Sequence, residues 1–294
     1  MEEEAMNRNL AWSIIIYLLS YIFALLATPV YVSQGVTVFE EPENPENALV
    51  LMIMVVAVFV IIFLLTWRGQ YKVIKAIFTV SMYITMNFFF LIVFPTGWIY
   101  DAMAFILPGI LILLVYKVYE WYTVNLVGII LTSSIGALLG VSLAPEILVL
   151  IMIGLMVYDF IVVKWGGMVR VAEATLEMDI PAMFAAPKGG KASLREVKTK
   201  ITTEEREELG FTLIGLGDIA FPIALSASLY ARGGLERVFG FIPRHILLSL
   251  ITSFSALLGL ILVIIVVERS RKAQPGLPYI NGLALIGYLL TLII

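Results

Sequence analysis

Long apolar runs separated by short polar breaks dominate the chain. A membrane-crossing helix needs about 20 mostly apolar residues. The pattern predicts nine: 10–32, 48–66, 73–94, 101–116, 124–143, 146–163, 211–230, 246–267 and 277–294. Pro95-Thr96-Gly97-Trp98 predicts a tight turn between the third and fourth runs, and Ala144-Pro145-Glu146 separates the fifth from the sixth. Trp67, Trp98, Trp121 and Trp165 fall near run ends, as aromatics of a bilayer interface do. The expected class is all-α, a polytopic membrane protein with the lipid bilayer as its first partner.

One break is different in kind. Residues 165–210 are long, polar and mixed in charge, dividing the chain into a six-span part (1–164), a loop (165–210) and a three-span part (211–294). Within the loop, Lys188-Gly189-Gly190-Lys191 reads as flexible. Residues 168–186 read as a helix lying in the interface. Thr202 to Leu209 reads as a short capped helix, with Thr202 or Thr203 ahead of Glu204-Glu205. No internal repeat is found, which weighs against an inverted-repeat transporter.

Charge orients the pattern. An odd number of spans puts the termini on opposite sides. Only Arg232, Arg237 and Arg244 lie on one side; the other Lys and Arg residues, eight of them between Lys164 and Arg206, lie on the opposite side. The positive-inside rule therefore predicts a cytoplasmic N-terminus and an extracellular C-terminus in the cell membrane. The acidic break with Glu40, Glu41, Glu43 and Glu46 then falls outside.

Composition narrows the classes further. Hydrophobic residues make up 61% and charged residues 14%, against roughly 25% charged in soluble domains. Mean hydropathy is +1.00, and no soluble fold of this size could hide so much apolar surface. With no Cys there are no disulfides, thiolate ligands or Cys nucleophiles, and a lone His245 makes a metal site unexpected. No cofactor is implied. A net charge of −3 gives no ground for a nucleic-acid partner. The acidic start, Met1 to Asn9, and the length of the first run argue against a cleavable signal peptide.

Of the 22 acidic residues, nearly all lie in breaks or at run ends; Glu146, Asp101 and Glu120 read as interfacial. Asp159 and Asp218 are the exceptions. A carboxylate in hydrocarbon costs at least roughly 2.5–3.5 kcal/mol, so each is a functional candidate. Asp159 precedes Lys164 by five residues, about 7.5 Å of helix, and Asp218 follows Phe211 by seven, about 10 Å. The two runs are antiparallel, so the acids are expected at similar depth and can face each other. No Lys, Arg or His inside a run is available to neutralise them. Close carboxylates share one proton and titrate as a pair. Such a pair can activate water against a peptide bond, as in aspartic proteases. The same acids could equally serve an ion channel or a proton-coupled transporter, and both readings stand at this point. Around them, Gly215 and Gly217 remove side chains beside Asp218, Tyr158 points away from Asp159, and Pro222 leaves the Asp218 carbonyl without its helical donor.

Tyr158-Asp159 in the sixth run and Gly215-Leu216-Gly217-Asp218 in the seventh, across a long polar loop, resemble the YD and GxGD motifs of the presenilin and signal peptide peptidase family. That family consists of nine-span intramembrane aspartyl proteases. Its third motif, Pro-Ala-Leu before the last span, has its counterpart in Pro275-Gly276-Leu277, with Gly in place of Ala. The resemblance covers the whole layout. Val171-Ala172-Glu173-Ala174-Thr175 through Ile180-Pro181-Ala182-Met183 is similar to presenilin rather than to the peptidase branch, which is also inverted in the membrane. The short chain suggests a microbial homologue. The resemblance implies that Asp159 and Asp218 are catalytic, that Gly215, Leu216 and Gly217 shape the substrate approach, and that Pro275, Gly276 and Leu277 position substrate or keep the pair in shape. Tyr158 supports. Substrates would be transmembrane helices that must unwind before hydrolysis, held by a sheet edge or irregular backbone from the polar loop or the region before Pro275. A homo-oligomer, partner subunits and self-cleavage within 165–210 are left open.

Overall fold

The structure, a computed structural model, describes residues 2–165, 175–189, 193–194, 210–238, 240–270 and 274–294. Its helices are α1 (Glu2–Ser33), α2 (Glu46–Trp67), α3 (Tyr71–Val93), α4 (Trp98–Lys117), α5 (Trp121–Ser142), α6 (Pro145–Trp165), α7 (Leu216–Arg232), α8 (Arg244–Ser270) and α9 (Leu277–Thr291). Two antiparallel strand pairs accompany them: β1 (Met183–Pro187) with β2 (Phe211–Gly215), and β3 (Arg237–Val238) with β4 (Ile242–Pro243).

Seven helices, α1 to α6 and α8, are long and apolar enough to cross a membrane. The other two are shorter: α7 has 17 residues and α9 has 15. The last helix thus ends at Thr291, short of the expected 294. The expected seventh run also begins differently. Its first five residues, Phe211–Gly215, form β2, and the helix starts only at Leu216. An apolar run of five ending in Gly satisfies strand and helix patterns alike, and pairing with β1 decides between them. Likewise Met183–Pro187 is a strand, where an interfacial helix over 168–186 was expected. Residues 168–174 of that helix, Gly190-Lys191 and the capped helix at 202–209 lie outside the described residues.

The core explains which helices are apolar on all sides. Only 11% of the apolar window of α2 is buried, and its Leu49, Ile53, Met54 and Val58 face outward as a lipid-facing wall. By contrast 78% of the α5 window is buried. In α7 every residue from Ile219 to Leu229 except Phe221 is buried. A helix enclosed by other helices needs no lipid-facing apolarity, which lets α7 carry Asp218, Ser226 and Ser228. The contact between α5 and α7 is close because of Gly136 and Gly140. A Cβ at Gly136 would lie 2.6 Å from Ile223 Cγ2, and one at Gly140 would lie 2.6 Å from Ala227 Cβ and 2.8 Å from the Ala224 carbonyl. This is a small-xxx-small interface, where backbones approach because no side chain intervenes.

Buried polar groups are paired across helices. Tyr17 donates to the Ser253 carbonyl at 3.1 Å, and the Tyr21 and Ser249 hydroxyls lie 2.9 Å apart, joining α1 to α8. At the far end of α7, Arg232 donates to the carbonyls of Gly140 and Val141 at 2.8 and 2.7 Å. These are last-turn acceptors that α5 leaves unpaired, and a basic side chain satisfies them.

Candidate active site

The site lies where β2 becomes α7, beside the last turns of α6 and the first turn of α9. The strand pair sets its frame. Met183 pairs with Gly215, Ala185 with Leu213 and Pro187 with Phe211. Asn125 of α5 reaches the far side of β1, donating to the Ala185 carbonyl at 2.9 Å and accepting from its N–H at 2.8 Å. The backbone groups of Ala185 therefore point away from β2, so Ala185 and Leu213 form a pair that exchanges no hydrogen bonds. The flanking bonds agree: Lys188 N–H donates to Gly210 and Leu216 N–H to Ala182, each an odd step from that pair. Pro187 falls at a position where a missing N–H costs nothing. Asn125 closes the β1 edge, while the N–H and C=O of Leu213 point out from the β2 edge. Among the described residues no backbone group pairs with that edge.

Tyr119, between α4 and α5, holds the approach to β1 by donating to the Ile180 carbonyl at 3.3 Å. Burial above all, and the Asp179 charge beside it, push the Tyr119 phenol well above its ordinary value, so it stays a donor.

Both aspartates meet the start of α9. Asp159 is buried, and its Oδ2 accepts the Leu277 backbone N–H at 3.1 Å. That donor is free because the first N–H groups of a helix have no partner within it. Asp218 lies in the first turn of α7, two residues past the helix start, and so nearer its end than a helix from 211 would put it. Its Oδ2 stands 2.8 Å from where a Gly276 Cβ would be and 3.3 Å from where a Gly215 Cβ would be. Adjacent residues of one segment, Gly276 and Leu277, thus touch one carboxylate each.

The other expected site residues divide. Gly215 is pressed against Asp218. Gly217 is not: it is exposed, with no atom within 4 Å of a would-be Cβ, so open space adjoins Asp218 on that side. Leu216 points into the bundle, its Cδ2 3.0 Å from where a Gly128 Cβ would lie. Tyr158 packs edge-on against Phe59 of α2, 5.5 Å between ring centroids. Pro275 is half-buried just ahead of α9, and Pro278 occupies its first turn. Asn125 was missed in the sequence, although an amide inside an apolar run was its signal.

A comparison with curated protein sequences gives no match. Two solved structures of a presenilin family intramembrane aspartate protease, in space groups C222 and P2, share this fold with TM-scores of 0.63 and 0.64 at 20% identity. The alignments cover 94% of this chain and 94% of that one in the first case, and 95% and 96% in the second. A family model described as signal-peptide peptidase, presenilin aspartyl protease matches residues 14–294. Nothing in these likenesses supports the channel or transporter alternative. With nearly its whole length matched, the chain belongs to the signal peptide peptidase and presenilin family of intramembrane aspartyl proteases.

Proposed function

We propose that this protease hydrolyses peptide bonds of transmembrane-helix substrates with Asp159 and Asp218 as a water-activating pair. The observation that carries the reading is the shared seat of the two carboxylates: Leu277 N–H on Asp159 at 3.1 Å, and Gly276 against Asp218. In a low-dielectric site two neighbouring carboxylates hold one proton between them. The ionised one takes a proton from water as the oxygen attacks the scissile carbonyl, and the protonated one donates to the carbonyl oxygen. As the C–N bond breaks, the proton taken from water goes to the leaving amine, a hydroxyl of the tetrahedral intermediate gives its proton back to the other aspartate, and the pair returns to its starting state.

A substrate helix hides its peptide bonds in its own hydrogen bonds, so a stretch of it must be unwound and held. The outward N–H and C=O of Leu213 offer a strand edge two residues before Gly215, a suitable clamp for an extended segment. Open space at Gly217 leaves room on the approach to Asp218. All nine helices cross the bilayer in this reading. The short α7 and α9 suffice because one is enclosed by its neighbours and the other starts inside the site. The sheet end faces the cytoplasm, as does the N-terminus, in accordance with the Lys and Arg bias. Pro275, Gly276 and Leu277 keep the pair in shape, and Gly215 admits the Asp218 carboxylate.

The test is cleavage of a transmembrane peptide by the purified protein in liposomes. Wild type cleaves, and Asp159→Ala and Asp218→Ala each fail. Cleavage that survives either substitution overturns the pair. Acid-dependent ion flux without cleavage would restore the transport alternative.

A further inference from the structure

Away from the aspartates, four elements converge on one carboxylate oxygen. Glu268 Oε1, in the last turn of α8, accepts from Asn9 Nδ2 of α1 at 3.1 Å and from the Thr212 hydroxyl of β2 at 3.2 Å. Lys188, directly after β1, puts its Nζ 2.9 Å from the same oxygen. Asn9 Nδ2 also donates to the Thr212 hydroxyl at 2.7 Å. Asn9 is completely buried, and its Oδ1 is turned to the Ser13 hydroxyl, which fixes the amide with its donors toward Thr212 and Glu268.

The position of Glu268 is informative. A carboxylate in the last turn of a helix faces the negative end of the helix dipole and is unfavourable for the helix itself. Arg269 next to it is the residue a helix end favours. What Glu268 gains lies outside α8, in the three donors that reach it. The pair with Lys188 is largely shielded, with side-chain exposures of 28% and 20%, so solvent weakens it little.

The consequence concerns the sheet. Asn125 fastens the β1 side to α5. The β2 side packs Phe211 and Ile214 into the core, and among the described residues its only side-chain hydrogen bonds are those of Thr212, to Asn9 and Glu268. Thr212 neighbours Leu213 and lies three residues before Gly215. Whatever fixes Thr212 fixes the height of the Leu213 edge relative to the aspartates.

We infer that Glu268 is a positioning residue for the substrate strand: with Asn9 and Lys188 it latches β2 to the bundle and thereby sets which peptide bond of a bound segment reaches Asp159 and Asp218. This rests on the protease reading above. It assigns Glu268 no contact with the reacting atoms. It predicts that loosening the latch changes where and how well a substrate sits, rather than how fast a correctly seated bond is cut.

The experiment uses the full chain in liposomes with a transmembrane peptide, reading KM, kcat and the cut positions by mass spectrometry. Glu268→Ala is expected to raise KM by about tenfold, the scale of one lost charge-assisted hydrogen bond, and to spread the cuts over neighbouring bonds. Glu268→Gln keeps an oxygen that accepts from Asn9 and Thr212, and is expected to restore the wild-type cut positions with KM within about threefold. A merely structural role would lower the active fraction and hence the apparent kcat, leaving KM and cut positions unmoved; that outcome overturns the inference. Amide hydrogen exchange supplies a readout independent of activity. The β2 amides are expected to exchange at least tenfold faster in Glu268→Ala and at the wild-type rate in Glu268→Gln, the size expected of a local opening eased by one such bond. Unchanged exchange overturns the latch even if the enzyme is active. A wild type that cleaves no peptide removes the protease reading and the substrate role with it, and the exchange result then shows separately whether the latch itself exists.

Discussion

The backbone N–H of Leu277 donates to Oδ2 of Asp159 at 3.1 Å, tying the start of α9 to an acid that lies 118 positions earlier in the chain. Leu277 is the first residue of α9, a position where proline is readily accommodated because the N–H has no helical acceptor. Leu277→Pro removes the donor; it also bears on Gly276, whose helical backbone a following proline disfavours but which carries no Cβ to meet the ring. Leu277→Ala keeps the donor and loses buried side-chain volume. A hydrogen bond to a charged group contributes about 1.5–3 kcal/mol. Per folded molecule, Leu277→Pro should cleave at least about tenfold more slowly than Leu277→Ala. Equal rates in a peptide-cleavage assay, normalised to monodisperse protein, would show that this bond does not support the pair.

Gly276 predicts a graded response to side-chain size. Its φ of −75° and ψ of −42° are open to any residue, so only contact matters. A Cβ would lie 2.8 Å from Asp218 Oδ2, the movable end of a side chain. Gly276→Ala, which restores the alanine of the related motif, should need a shift of a few tenths of an ångström and stay within about tenfold of wild-type kcat. Gly276→Val pushes the carboxylate much farther, and displacements on the order of 1 Å cost about a hundredfold in rate. Steady-state kinetics of the two variants check this, and a Val variant as active as the Ala variant would place Asp218 outside the reacting pair.

The sequence made the hydrophobic framework legible because bilayer thickness imposes a run length that any window detects. Helices α1 to α6 and α8 follow from it, as do the breaks at Pro95–Trp98 and Ala144–Glu146. Asp159 and Asp218 were legible for the same reason, since a charge in such a run has no cheap explanation. The β1–β2 pair was not. Met183–Pro187 and Phe211–Gly215 are short, weakly patterned and separated by a long polar segment, and their strand character depends on each other. That dependence moved the start of α7 from 211 to Leu216 and brought Asp218 into a first turn. Gly217 was expected to clear the way to Asp218 for a backbone or a substrate, and a Cβ there would face open space rather than a neighbouring element. Asn9, Asn125 and Glu268 meet their partners in and beside the sheet 56 or more positions away, contacts that no local pattern encodes.

Close packing between α5 and α7 makes Gly140 sensitive for stability rather than chemistry. A Cβ there would meet Ala227 Cβ at 2.6 Å, the Ala224 carbonyl at 2.8 Å and the Ser228 nitrogen at 2.9 Å. Two of these are backbone atoms of a buried helix and cannot rotate aside. Gly140→Ala should destabilise the protein by about 1–3 kcal/mol, the usual cost of overpacking. Gly282, with no atom within 4 Å of its would-be Cβ, is the control, and Gly282→Ala should leave the melting temperature within a degree or two. Thermal unfolding of both variants in one detergent provides the comparison. A Gly140→Ala protein as stable as the control would mean that α5 and α7 separate at little cost.

The strand edge can be tested by a pair of proline substitutions one residue apart. Leu213 N–H points out from β2, so Leu213→Pro removes an outward donor and spares the bonds to β1. Proline is tolerated on an edge strand in that orientation. Ile214, the next residue, pairs with Phe184 at a position where N–H and C=O are exchanged between the strands. Ile214→Pro therefore breaks the ladder itself. If an extended substrate segment adds to β2, Leu213→Pro should weaken peptide binding, with KM up by about fivefold to tenfold for one lost backbone bond, while the melting temperature stays near wild type. Ile214→Pro should lower the melting temperature and activity together, because it disturbs β1, Gly215 and the start of α7 at once. The two variants differ little in composition and position, so the contrast isolates the direction in which a single N–H points. A Leu213→Pro enzyme with wild-type KM would mean that substrate is held elsewhere, and that the sheet serves only to shape the start of α7.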